Sequence, residues 1–120
     1  MRVLVCGDRY WTDVDLLFST LDAFHAAHNV TCVIEGEARG ADRLAGLWGR
    51  QRNITVRKYP ALWEVYGKAA GPIRNQQMLD EGQPEYVIAF HDSLSTSKGT
   101  ADMVRRAKRD NLPVLVVKHG

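Results

Sequence analysis

Three short stretches of the chain combine glycine, hydroxyl and cationic residues in the way that holding an anion requires. They are Gly7-Asp8-Arg9-Tyr10-Trp11, Glu35-Gly36-Glu37-Ala38-Arg39-Gly40-Ala41-Asp42, and His91 through Thr100. Glycine lets a backbone N–H come close to a ligand, and a helix that starts just beyond the loop presents free N–H groups and a partial positive charge. Arg9, Arg39 and Lys98 add full charges. Glycine also serves tight turning, so one such loop means little and the inference rests on three together. The segment Ser95-Thr96-Ser97-Lys98-Gly99-Thr100 is expected to be the phosphate site. Its hydroxyls can donate, Lys98 can neutralise one charge, and Gly99 leaves room for close approach. The Gly36–Gly40 loop with Arg39 is the alternative place for the same group.

Arg74 stands out for its position. The segment Gly71-Pro72-Ile73-Arg74-Asn75 predicts a helix starting at Pro72, which suits a first turn. That places a cation at the helix end where the dipole disfavours it. A nearby carboxylate or an anionic ligand would offset the cost. Of the three tryptophans, Trp48 falls on a helix face and reads as packing, whereas Trp11 and Trp63 fall in loops where a base can stack. His91 and Asp92 follow a strand directly, but adjacent side chains leaving a strand point apart.

These residues need a scaffold, and the apolar pattern supplies one. Arg2–Cys6, Val30–Glu35, Ile54–Lys58, Glu85–Phe90 and Pro113–Val117 are short β-rich runs, the mark of strands buried on both faces. Helical spacing runs from a cap at Thr12 or Asp13 to His28, with Leu16, Leu17, Leu21 and Phe24 on one face, then from Ala41 to Arg52, Pro72 to Glu81 and Thr100 to Asp110. Tyr59 to Gly71 reads as irregular. The alternation predicts a doubly wound, mostly parallel five-stranded Rossmann-like α/β sheet with helices on both faces. In such sheets ligands bind outside the carboxyl ends of the strands, where all three loops lie.

Composition excludes several classes. At 45% hydrophobic and 25% charged residues, the chain reads as one globular domain over residues 1–120. No apolar run approaches the roughly 18–20 residues of a membrane helix. The opening MRVLVCG lacks a secretory pattern, so a cytoplasmic protein is expected. Cys6 and Cys32 sit in apolar segments and read as buried free thiols. No cofactor and no metal site are expected, because the cysteines lack ligand-spaced partners. A net charge of +2 is modest for a nucleic-acid binder. The group Arg105, Arg106, Lys108 and Arg109 reads as a solvated helix end favoured by the dipole.

The stretches CGDRYW, EGEARGAD, WEVYGKAAGPIRNQQML and SKGTADMVRRA span almost the whole chain, and together they resemble the YspA-type branch of the SLOG superfamily. The branch is one of bacterial and phage proteins, and the Rossmann-like superfamily includes the DNA-processing protein DprA and the cytokinin-activating LOG enzymes. The resemblance implies a nucleotide or nucleotide-derived ligand, a nucleoside phosphate or one like ADP-ribose, over the sheet's carboxyl edge. The expected contacts are Gly7, Arg9, Gly36, Arg39, Gly40, Asp42, Arg74, Asn75 and the run Ser97, Lys98, Gly99, Thr100. LOG enzymes cleave the N-glycosidic bond of nucleoside 5′-monophosphates with a helix Arg and a Glu that ends a PGGxGTxxE motif. Arg74 matches that Arg in kind and place. Thr96-Ser97 replaces the Gly pair, and Met103 stands at the Glu position with Asp102 beside it. LOG-type hydrolysis would therefore need Asp102, Glu35 or Glu37 as its carboxylate. A sensor or nucleotide-processing role leads, with phosphoribohydrolase activity and DprA-like single-strand DNA binding as alternatives. LOG relatives also imply a homodimer.

Overall fold

The computed structural model describes residues 1–120. Five strands form one sheet: β1 (Arg2–Gly7), β2 (Cys32–Glu35), β3 (Thr55–Lys58), β4 (Tyr86–Phe90) and β5 (Val114–Val117), in the order β3-β2-β1-β4-β5. Every neighbouring pair is parallel, with Leu4 beside both Ile34 and Val87. The expected strands are all present, each within two residues of its expected limits.

Alternation along β1 divides the core. Val3 and Val5 face α1 (Val14–His28) and α2 (Ala41–Gln51), joining Leu17, Leu21, Phe24, Trp48 and Phe90. Leu4 and Cys6 face the other way, against α4 (Ala70–Gly82) and α5 (Gly99–Arg109), joining Ile34, Met78, Leu79, Met103 and Ala107. A period of two on a buried central strand makes both faces apolar. Asp13 Oδ1 accepts from the Leu16 N–H at 3.0 Å and caps α1, and Asn29, left-handed at φ 54°, closes it. Both are ordinary helix punctuation.

Two local features differ from expectation. Residues 59–71 are not wholly irregular: a one-turn helix, α3 (Trp63–Tyr66), and a 3₁₀ turn at Gly67–Ala69 lead straight into α4. Because α4 begins at Ala70, Arg74 lies in its second turn, where the dipole penalty is already fading. Trp11 is only 5% exposed. Its ring packs edge-on against Phe90 at 5.5 Å, and its Nε1 donates to the Asp13 carbonyl at 3.0 Å. It is a core residue, closed to a stacking base. No helix is long and apolar enough to cross a membrane.

Candidate functional site

Strand order reverses direction at β1, whose neighbours β2 and β4 lead their connections to opposite faces of the sheet. A crevice must open where the loops after β1 and β4 diverge. There lies a cavity of about 380 Å³, floored by Cys6, Met78 and Met103 and walled by Gly7–Tyr10, Ala38, Asp42, Arg74, Asn75, His91 and Thr96–Thr100. Burial raises the Cys6 thiol far above its ordinary pKa, so it is an inert part of this floor.

Close backbone approach builds the rim. A Cβ on Gly7 would strike the Phe90 carbonyl oxygen and lie 2.8 Å from Ala41 Cβ. Gly40 has φ +76°, and a Cβ there would run into Asp8 and Arg9. These two glycines let the loops after β1 and β2 lie against each other. Asp8 ties the joint, donating its N–H to Phe90 O at 2.8 Å and accepting at its own carbonyl from Trp11 and Ala41.

Arg74 reaches from α4 toward the loop after β2. Its Nη1 donates to Gly36 O at 2.6 Å and to Tyr59 O at 3.4 Å, and its Nε to Asn75 Oδ1 at 3.1 Å. Nη2 has no partner in the chain. Asp42 flanks the same glycine and accepts the Ala38 N–H at 3.2 Å. Its burial pushes its pKa up to about 6, against the pull of Arg74 and the loop N–H groups. Asp42 therefore supplies the offsetting carboxylate that a helix cation asks for, without a direct ion pair.

The loop after β4 enters α5 through Ser97. Its Oγ accepts the N–H groups of Thr100 at 3.1 Å and Ala101 at 3.3 Å. Two first-turn donors are thus already engaged, while the N–H groups of Lys98 and Gly99 have no partner inside the chain. Gly99 has an ordinary φ, and a Cβ there would meet nothing within 4 Å. Nothing in the fold demands glycine at 99.

Several expected residues lie elsewhere. Arg39 is exposed and outside the cavity wall. Asp102 is buried against α4, accepting from Asn75 Nδ2 at 3.0 Å, Arg105 at 2.9 Å and Arg106 at 2.8 Å. Burial opposes its ionisation, but Asn75 and the arginines outweigh that and hold its pKa low. Met103, not Asp102, faces the cleft. Asn75 spends its amide on Asp102 and on Gly99 O at 3.2 Å, joining α4 to α5. Glu35 lies under α2, next to Gly46, with Oε1 accepting the Glu37 N–H at 2.9 Å and Oε2 unpartnered. Burial, with Asp42 beside it, pushes its pKa up to about 7. Glu37 pairs with Lys58 at 3.7 Å and does not line this cleft. His91 Nδ1 accepts the Ser93 N–H at 3.0 Å, while Asp92 turns to His119. The side chains of His91 and Asp92 diverge, as neighbours leaving a strand must. Sequence reasoning gave no role to Ala38 or Met78 on the cavity wall. Short side chains and methionines carry no chemical flag.

A parallel sheet wound both ways around a polar crevice at its switch point defines a Rossmann-like protein. The sequence places it within that class. The model of the family described as "YspA, cpYpsA-related SLOG family" matches residues 1–66. The Gene 61 protein of Mycobacterium phage D29 is 37% identical over 120 residues, covering 95% of this chain and 94% of that protein. The chain belongs to this SLOG family. Among solved structures, DNA processing protein A (DprA) from Streptococcus pneumoniae superposes with a TM-score of 0.77 at 16% identity, over 99% of this chain and 50% of that one. That likeness shows the shared fold, and this chain spans half the length of that protein.

Proposed function

We propose that the cleft binds a nucleotide or nucleotide-derived ligand, a nucleoside phosphate or an ADP-ribose-like molecule, in a sensing or nucleotide-processing role. The observation that carries the reading is the set of unspent donors in one cavity. Arg74 Nη2 and the Lys98 and Gly99 N–H groups lack partners in the chain, and Arg9 and Lys98 add charge at the same wall. Anions are favoured where such donors and a helix N-terminus converge. Gly7 and Gly40 hold the rim loops together, Gly36 seats Arg74, Asp42 balances it, and Ser97, Thr100 and Asn75 shape the entry to α5.

A thermal-shift panel of mononucleotides, dinucleotides and ADP-ribose derivatives tests the reading. A ligand at about 100 times its Kd adds roughly 2.7 kcal/mol. No shift at millimolar concentration of any of them overturns it. The structural neighbour is named for DNA processing. Sixteen basic and fourteen acidic residues leave this chain at +2, too little to neutralise many phosphates. Binding of single-stranded DNA at physiological salt is therefore expected to be weak, and submicromolar affinity with a steep salt dependence would reverse that order.

A further inference from the structure

Beside the cleft lies a second cavity of about 260 Å³, walled by Trp63, Pro60, Glu37, Arg43, Ala38 and Arg74 among others. Ala38 and Arg74 also line the main cleft, so the two spaces meet at the guanidinium. Trp63 is 55% exposed, whereas Trp11 and Trp48 are buried. It stands on α3, a helix with no buried residue. The core therefore does not explain why an indole is held there. A Cβ on Gly71 would lie 3.4 Å from Trp63 Cη2, so the tip of the indole lies beside the first turn of α4. Arg43 Nε donates to Glu37 O at 3.3 Å and braces the polar side of the cavity.

A half-exposed indole, a proline, the Glu37 carboxylate and a guanidinium shared with the main cleft suit a planar heterocycle that bears N–H donors and is joined to a phosphate. We propose that this second cavity takes the nucleobase of the ligand, with Trp63 as its stacking platform, while the phosphate end occupies the main cleft and Arg74 lies between them. The inference rests on the nucleotide reading of that cleft. It assigns the base of that ligand a subsite, which the cleft alone does not.

Calorimetry with ribose 5-phosphate, AMP and ADP-ribose on the wild-type chain, Trp63→Ala and Trp63→Phe separates the two claims. Wild type should bind AMP and ADP-ribose more tightly than ribose 5-phosphate. Trp63→Ala should weaken AMP by about tenfold, the scale of one lost base–aromatic stack, and leave ribose 5-phosphate unchanged. Trp63→Phe should restore most of the loss. AMP should also quench the exposed indole's fluorescence in wild type and not in Trp63→Phe. If ribose 5-phosphate binds but Trp63→Ala weakens neither probe, or both equally, the base subsite is refuted and the cleft reading stands. If no probe binds the wild type, the cleft reading fails and the subsite with it. A Trp63→Ala variant that only shifts the sedimentation of the chain, with AMP affinity intact, makes this face a contact between copies and also overturns the proposal.

Discussion

Arg74 donates to the carbonyl oxygen of Gly36 at 2.6 Å, and its guanidinium fills the space where a side chain on Gly36 would begin. A Cβ there would lie 2.8 Å from Arg74 Cζ and 2.9 Å from Asp42 Oδ2. The glycine is a seat for the cation rather than a turn residue, since its φ is ordinary.

Gly36→Ala should therefore displace Arg74 from the cleft wall. Overpacking of this kind costs about 1–3 kcal/mol of stability. Losing a charge-assisted hydrogen bond to the ligand costs about 1.5–3 kcal/mol, or some ten- to hundredfold in affinity. Paired urea unfolding and calorimetry measure both, and wild-type affinity in this variant would detach Arg74 from binding.

Gly99→Val should behave in the opposite way toward the fold. The added side chain meets open space, so unfolding should stay near wild type. Ligand binding should be abolished, because the branched side chain projects beside the Lys98 and Gly99 amides. Unchanged affinity would move the phosphate to the Gly36–Gly40 loop.

Release of free base from AMP should be weak or absent. Met103 occupies the cleft floor, and Asp102 is committed to Arg105 and Arg106. Asp42, the buried carboxylate on the wall, has its Oδ2 engaged by the Ala38 amide. Robust hydrolysis by purified protein, lost in Arg74→Ala, would make the chain a phosphoribohydrolase.

Glu35 sets a pH dependence of stability. Its folded pKa of about 7 lies above the ordinary 4.5, so between those values the folded chain holds more protons than the unfolded one. Its contribution is present in full below 4.5 and is lost as pH rises through 7. Asp42 acts in the same sense, from its ordinary 3.8 to about 6. Between pH 4.5 and 8, Glu35→Gln should lose on the order of 2–3 kcal/mol less stability than wild type. Denaturant midpoints that track each other across this range would rule the effect out.

His119 should titrate as a latch for the end of the chain. Its ring stacks on Trp11 at 4.6 Å and bonds Asp92 at 2.9 Å and Asp13 at 2.7 Å. Asp92 first and Asp13 second raise its pKa. The latch holds below the ordinary histidine value and opens as pH rises past the raised one. It also weakens in acid, as Asp13 and Asp92, both held below their usual range, take up protons. NMR titration should show His119 shifted upward, and Asp92→Asn should lower it. A His119 that titrates alike in both proteins would exclude the pairing.

The strands and four of the helices were legible because a buried parallel strand and an amphipathic helix each leave a periodic mark. α3 was not, since one turn with no buried residue has no periodicity to read. The three loops were legible as a rim, but the direction of each carboxylate was not. Successive residues on a helix diverge by about 100°, so Asp102 and Met103 look interchangeable in sequence and face different surroundings in the fold. Glu35 ends an apolar strand, and only the tertiary packing of Gly46 shows it to be sealed under α2. Trp11 looked available because it lies in a loop, yet Phe90 and His119 enclose it.

The central place of β1 has a consequence for how the molecule comes to exist. β1 pairs with β4 from Val3 beside Tyr86 onward, so the two strands that bound the crevice are separated by roughly 80 residues of chain. Contacts of such high sequence separation close late and slow folding. During synthesis β1 emerges first and has one neighbour, β2, until β4 follows. The loops after β1 and β4 cannot face each other before then. The cleft thus depends on a long-range closure, and a partly made chain has the glycines and arginines of the site without the site.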